Sequence, residues 1–310
     1  MSPALTRVTA TAPGKINLSL RVGGRDERGY HALATVFQAV DLLETITASA
    51  TDTNRLSLTV TSHVRGEVPT DGTNLALRAA DLLRTECGVR AGAELHIEKR
   101  VPIAGGMGGG SADAAAALVA LNRLWGLGLS AEDLAAFGAR LGADVPFALH
   151  GGTALGTGNG TELQAIHTAE VLTWLLVAPG GHLSTPQVFT VFDEIAEQSG
   201  TVVPTIPTPD AAQIAALGAG DLPAIAASLA NDLHAPALRL SPELGPLLEG
   251  LMEAGALAAV ISGSGPTLAA LVRAAEHGQS LREAFGPAHP QAECLVCTGP
   301  VPGARVISES

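Results

Sequence analysis

The chain has 310 residues, 46% hydrophobic and 15% charged. That is enough for one large domain or two ordinary ones, and it excludes a disordered chain. A formal net charge of −12 argues against broad binding to nucleic acid or to an anionic membrane, both of which need basic surface.

No apolar run approaches the length of a membrane span, and residues 1–7 carry no signal-peptide core. A cytoplasmic protein, with no nucleic-acid or membrane partner, is the expectation. Residues 8–22 read as a strand. Its clearest alternation, Lys-Ile-Asn-Leu-Ser-Leu at 15–20, is expected to put Lys15, Asn17 and Ser19 on one face and Ile16, Leu18 and Leu20 on the core face. A polar, glycine-rich loop follows at 23–29. Strands are expected at 31–43 and 56–61, then a helix over 74–87 stopped by Gly88. Residues 93–101 read as another strand.

The next eleven residues are Pro102, Ile103, Ala104, Gly105, Gly106, Met107, Gly108, Gly109, Gly110, Ser111 and Ala112. They lead into an alanine-rich helix expected to run to about Trp125, capped by Ser111 or a neighbour. Glycine lets the backbone turn with positive φ and lets another group approach closely. The first turn of a helix offers unpaired N–H groups and the positive end of a dipole. Together they make a phosphate cradle. No Gly-Lys-Ser/Thr follows, so this is not the usual P-loop. The glycine spacing also fails the dinucleotide fingerprint, and no ribose-binding acid follows in a βαβ unit.

Ser-Ala-Glu-Asp at 130–133 reads as a capping-box start to a helix ending at Gly142. Asp144 comes just after it, before Pro146. It is either the N-cap of a short helix or a general base beside the phosphate site. Strand and hairpin are expected at 151–160 and a buried strand at 172–177. A loop is expected at 198–210, and helices at 211–217, 222–229, 242–254 and 276–286. Residues 260–271 read as strand, Ser-Gly-Ser-Gly-Pro turn and strand, and a last strand begins at Leu295. A soft domain boundary falls near residue 163. Cys294 and Cys297 form a Cys-x-x-Cys pair without a second pair. In a strand they face opposite sides, so they read as two small apolar residues rather than a redox or zinc half-site. Tyr30, the only tyrosine, stands beside His31 after a polar loop. That pairing suits a flat ligand, although for a lone histidine a structural role is usually the safer reading.

Ala-Pro-Gly-Lys at 12–15, the glycine loop opening a helix, and the glycine-rich turn at 262–266 occur in this order, and together they resemble the GHMP small-molecule kinases. Narrower markers are Gly-Tyr-His at 29–31, Lys-Arg-Val-Pro-Ile-Ala-Gly-Gly-Met-Gly-Gly-Gly-Ser at 99–111 and Leu-Gly-Ala-Asp-Val-Pro at 141–146. Thr-Pro-Gln-Val-Phe at 185–189 and Asn-Asp-Leu at 231–233 add to them. The resemblance implies an α+β, two-domain GHMP kinase fold with the active site in the cleft between domains. Residues 1–163 would carry the phosphate loop and catalytic pair, and residues 164–310 a ferredoxin-like second domain.

It further implies transfer of the ATP γ-phosphoryl group, with Mg²⁺, to a tertiary hydroxyl of a small cytidine diphosphate-linked substrate. Lys15 and Asp144 would be the catalytic pair, and residues 102–112 would wrap the ATP phosphates. Asn74 and Lys99 would lie near the nucleotide, and Asn17 close to Lys15. Tyr30, His31, Phe37, Thr185 and Phe189 would take the cytidine side, with Tyr30 and Phe189 sandwiching the base and His31 reading its edge. The metal ligands and oligomeric state are unspecified. Met107 replaces a common leucine, a volume-conserving change. Asp113 stands one residue past the cradle, where it either faces away from the phosphates or meets Mg²⁺ through water. The alternatives are a kinase of homoserine or a mevalonate-type alcohol, a silent sensor on the same fold, and a dinucleotide oxidoreductase. The Gly-Tyr-His block, the Lys15/Asp144 pair and the loop spacing argue against them in turn.

Overall fold

A computed structural model describes residues 5–103 and 105–310; Ala104, within the glycine loop, lies outside the described residues. The chain opens with a long antiparallel hairpin of β1 (Arg7–Arg25) and β2 (His31–Thr51). β3 (Leu56–Ser62), α1 (Leu75–Cys87) and β4 (Gly92–Lys99) follow. Then come α2 (Gly109–Leu124), α3 (Ala131–Leu141), α4 (Val145–His150), β5 (Thr153–Gly158) and β6 (Glu162–Ala165). The second half holds β7 (Leu172–Ala178), α5 (Thr185–Ser199), α6 (Ala211–Ala219), α7 (Leu222–Ser228), β8 (Ala230–Asn231) and α8 (His234–Leu240). It closes with α9 (Leu244–Glu253), β9 (Ala258–Ile261), β10 (Leu268–Val272), α10 (Ala275–Phe285), β11 (Glu293–Gly299) and β12 (Arg305–Glu309).

The first sheet runs β12–β1–β2–β4–β3, with the β5–β6 hairpin also on β2 and β8 on β1. The second runs β11–β7–β10–β9, antiparallel throughout. β8 and β12 come from the second half of the chain yet pair with β1, so the halves are interleaved. No described helix is long and apolar enough to cross a membrane.

Local chemistry sets the helix ends, at Gly88 and Ser130 where the sequence suggests. Asn74 caps α1 by accepting from Ala76 N, and Gly88 ends it with φ 66°. Ser130 and Asp133 form the capping box of α3. The cap of α2, expected at Ser111 or a neighbour, falls three residues before Ser111. Gly108 holds the N-cap position with φ 69°, a left-handed conformation that glycine adopts without a Cβ penalty. Ser111 thereby falls inside the first turn. Alanines 112 and 114–117 on α2 are fully buried. Their small side chains let the helix lie close to α1 and the first sheet, which share one core cluster with it.

One expectation for β1 fails. A β-bulge between Asn17 and Ser19 shifts its register against β2 and resets the alternation. Lys15 and Asn17 keep a common face. Ser19, however, turns its hydroxyl to Gln213 on α6, and Leu20 joins the wall of the cleft containing Lys15 and Asn17. Residues 185–199, beyond any sequence expectation of a helix, form α5. Cys297 is buried and Cys294 half-buried on β11, both as free thiols.

Candidate active site

Two cavities meet at the glycine loop. One, of about 350 Å³, is bounded by the loop, the first turn of α2, Lys99 and the 67–75 segment that contains Asn74. The other, of about 290 Å³, lies between the halves of the chain. Lys15, Asn17, Thr35, Phe37 and Asp144 line it from the first half, and Thr185, Phe189, Leu233, Gly263 and Ser264 from the second. Gly106, Gly108 and Ser111 border both. The loop is therefore the partition between the two chambers.

The loop is held against the second half. A Cβ at Gly106 (φ 74°) would collide with the Ser262 carbonyl oxygen, and one at Gly105 with Thr267 Oγ1. At Gly108 a Cβ would stand 3.2 Å from Lys15 Cγ. Met107 sends its side chain into the core, 1% exposed, while its carbonyl accepts from Lys15 N at 2.9 Å. The turn at 262–266 thus approaches the glycine loop directly.

Lys15 is 6% exposed. Its ammonium donates to Asn17 Oδ1 and to the Gly106 carbonyl, both at 2.8 Å. It lies 3.6 Å from Asp144 Oδ2 and 5.6 Å from the Phe37 ring centroid. Asp144 does precede α4, yet its side chain makes no cap hydrogen bond. The carboxylate faces the lysine instead. Asn74 spends both ends of its amide on structure, accepting from Ala76 N and donating to the Pro69 carbonyl.

Lys99 is buried between two acids, 2.6 Å from Asp113 Oδ2 and 2.9 Å from Glu44 Oε1. Burial pushes both carboxyls up, Glu44 to about 7, against the pull of Lys99. Burial pulls the Lys99 ammonium down, but Asp113 and Glu44 outweigh it and hold it above the usual lysine range. Asp113 is 2% exposed and directs Oδ2 to Lys99.

Tyr30 and His31 do not line either chamber; behind Phe189, His31 donates from Nδ1 to the Gly23 carbonyl at 2.7 Å. Its ring lies 5.0 Å from Phe189 and 5.9 Å from Phe192. Tyr30 is 70% exposed and pairs with no ring among the described residues. Phe37 lies deeper, beside Lys15, its ring tilted 31° to that of Phe147 with centroids 4.9 Å apart. Thr185 shares a hydrogen bond of 2.8 Å with Ser264. Thr35 is a lining residue that sequence reasoning missed, whereas Leu233 and Ser264 lie in the 231–233 and 262–266 motifs already singled out. Thr35 had a signal, standing two residues before Phe37 on the same strand.

The mixed α/β architecture agrees with the comparisons to known proteins. Residues 74–152 match the GHMP kinases N terminal domain and residues 213–290 the GHMP kinases C terminal. The chain belongs to the GHMP kinases, a family of ATP-dependent phosphotransferases. Within that class it is a member of the 4-diphosphocytidyl-2-C-methyl-D-erythritol kinase family. A relative of that name from Nocardioides sp. is 48% identical over 299 residues, covering 96% of this chain and 99% of its own length. A crystal structure of 4-(cytidine 5'-diphospho)-2C-methyl-D-erythritol kinase matches with TM-score 0.75 and 31% identity, over 94% of this chain and 99% of the other. The L. major mevalonate kinase, at TM-score 0.77 over 96% of this chain and 97% of its own, is 17% identical and shares the fold alone.

Proposed function

We infer that this chain transfers the γ-phosphoryl group of ATP to the 2-hydroxyl of 4-diphosphocytidyl-2-C-methyl-D-erythritol, a step in isoprenoid precursor synthesis by the non-mevalonate route. The observation that carries the reading is the partition. One chamber suits a nucleotide, the other an acceptor, and they touch at Gly106, Gly108 and Ser111 beside Lys15 and Asp144.

Residues 102–112 would cradle the phosphates with backbone N–H groups and the α2 N-terminus. Asn74 and Lys99 would border the nucleotide. A tertiary alcohol is a poor nucleophile at neutral pH, so Asp144 Oδ2 would accept its proton as the O–P bond forms and ADP leaves. The Lys15 ammonium would stabilise negative charge on the alkoxide and the transferring group. Asn17 would hold that ammonium in place. Tyr30, His31, Phe37, Thr185 and Phe189 would bind the cytidine side.

Mg²⁺ would enter with ATP and neutralise phosphate charge. Among the described residues no three His, Cys, Asp or Glu side chains form a metal cage. Such an ion therefore fits here only as one held chiefly by phosphate and water oxygens, with Ser111 the protein oxygen at hand. We place the reaction in the cytoplasm, with no nucleic-acid or membrane partner.

The deciding experiment measures ATP consumption with the cytidyl substrate beside homoserine and mevalonate. The wild type should turn over the first alone. Asp144→Asn should lose at least ~10²-fold in kcat, the scale of general-base catalysis, while still binding ATP. Near-normal kcat in that variant would falsify the assigned base.

A further inference from the structure

The Lys15 ammonium has three protons. Two go to Asn17 Oδ1 and the Gly106 carbonyl, and the remaining direction opens toward Asp144. An ammonium only donates, so Asn17 must present its oxygen to Lys15. Its Nδ2 then points the other way and donates to Thr35 Oγ1 at 2.8 Å. Thr35 accepts there because its single proton is committed to the Ser19 carbonyl at 2.7 Å. Each link has one possible direction. A flipped Asn17 would set its NH₂ against the ammonium and leave both without an acceptor.

Neither Thr35 nor Asn17 is wet: they are 0% and 3% exposed. Water cannot substitute for a lost partner at such sites, so removing one leaves a buried donor unsatisfied. Thr35 stands on β2, across the hairpin from the bulge in β1 that follows Asn17. The Ser19 carbonyl that orients its hydroxyl belongs to that bulge.

We propose that Thr35 is a positioning residue for phosphoryl transfer: its hydroxyl fixes the Asn17 amide, and through it aims the Lys15 ammonium toward Asp144. This rests on the reading of Lys15 and Asp144 as the reacting pair. Thr35 borders the acceptor chamber, yet it is 0% exposed, carries no charge and commits its hydroxyl to Asn17 and the Ser19 carbonyl. Its effect should therefore fall on kcat and leave substrate binding nearly untouched.

The test compares Thr35→Val, which keeps the shape and removes the hydroxyl, with Thr35→Ser, which keeps the hydroxyl. T35V should lower kcat about tenfold with KM for ATP and for the cytidyl substrate within twofold of wild type. T35S should recover kcat to within about threefold. A T35V kcat within twofold of wild type overturns the proposal, as does an equal loss in T35S or a loss carried by KM. If T35V fails to fold, Thr35→Cys takes its place and should turn over at least fivefold more slowly than T35S; equal rates overturn the proposal. Asp144→Asn measured alongside separates the two readings. Should D144N keep its turnover, the catalytic pair is misassigned and the role of Thr35 falls with it. Should D144N be dead and T35V fully active, only Thr35 is misassigned.

Discussion

Asp113 sets Oδ2 2.6 Å from Lys99 Nζ, directly beneath the glycine loop. Glu44 meets the same ammonium at 2.9 Å, and no member of this triad has a side chain more than 3% exposed. Two acids therefore share one base in a dry site, close to where a polyphosphate would lie. Ionising both acids would leave a net negative charge beside the phosphates. Burial resolves the conflict by favouring the protonated form of a carboxyl. Glu44 also accepts from Arg100 N and Val101 N, which ties the end of β4 to β2 just before the loop begins.

This arrangement predicts a specific pH dependence of stability. The Glu44 carboxyl is raised from 4.5 to about 7, by burial first, with Lys99 pulling it down and Asp113 pushing it up. Between those values the folded protein binds more protons than the unfolded chain, so this group's contribution to stability falls as pH rises. The change amounts to roughly 3 kcal/mol across the window. Glu44→Gln should carry a fixed cost but lose that slope. Melting temperatures of wild type and variant, taken from pH 5 to 8, should converge as pH rises. Parallel curves would remove Glu44 as the titrating group.

The glycines of the loop are unlike one another, and alanine substitution should separate them. Gly106 has φ 74°, and a Cβ there would strike the Ser262 carbonyl. Left-handed backbone costs an ordinary residue about 1–2 kcal/mol before any collision. Gly110 lies within the first turn of α2 at ordinary φ, where a Cβ would sit 3.6 Å from Leu75 Cδ1. Gly106→Ala should lose at least about 2 kcal/mol in urea unfolding, whereas Gly110→Ala should gain up to about 1 kcal/mol from helix propensity. The same sign for both would mean that backbone conformation does not distinguish them.

Features governed by near neighbours in sequence were legible in it. The capping box at Ser130 and the stop at Gly88 follow from residues within a few positions of one another. The shared face of Lys15 and Asn17 followed from alternation. Ser19 did not, because the bulge beside it depends on pairing with β2. The partners of Asp113 were hidden for the same reason: Glu44 and Lys99 arrive from two other strands. Thr35 looked like an ordinary strand threonine, and only the hydrogen bonds across the hairpin give it direction. The strand β12 closes the first sheet from the end of the chain, a long-range pairing that no local pattern encodes.

The proposed cytidine contacts make a graded prediction. Phe189 is half-buried and already held, its ring tilted 33° to that of His31 at 5.0 Å. His31 in turn is fastened to the Gly23 carbonyl and faces Asp193 on α5, with Nε2 3.4 Å from Oδ2. Asp193 also takes Arg25 Nε at 2.6 Å, so this corner joins the β1–β2 hairpin to the second half of the chain. Tyr30 is exposed and must lose side-chain freedom to stack on a base, which offsets part of its gain. Phe189 needs little such ordering, and its loss would also release His31. An aromatic pair is worth about 0.5–1.5 kcal/mol beyond its buried area. Phe189→Ala should accordingly raise KM for the cytidyl substrate by roughly 3- to 10-fold, Tyr30→Ala by less, and neither should change KM for ATP. Steady-state kinetics with each substrate varied in turn decide it. Equal increases in both KM values for Phe189→Ala would mean that the ring supports the cleft as a whole and does not select the base.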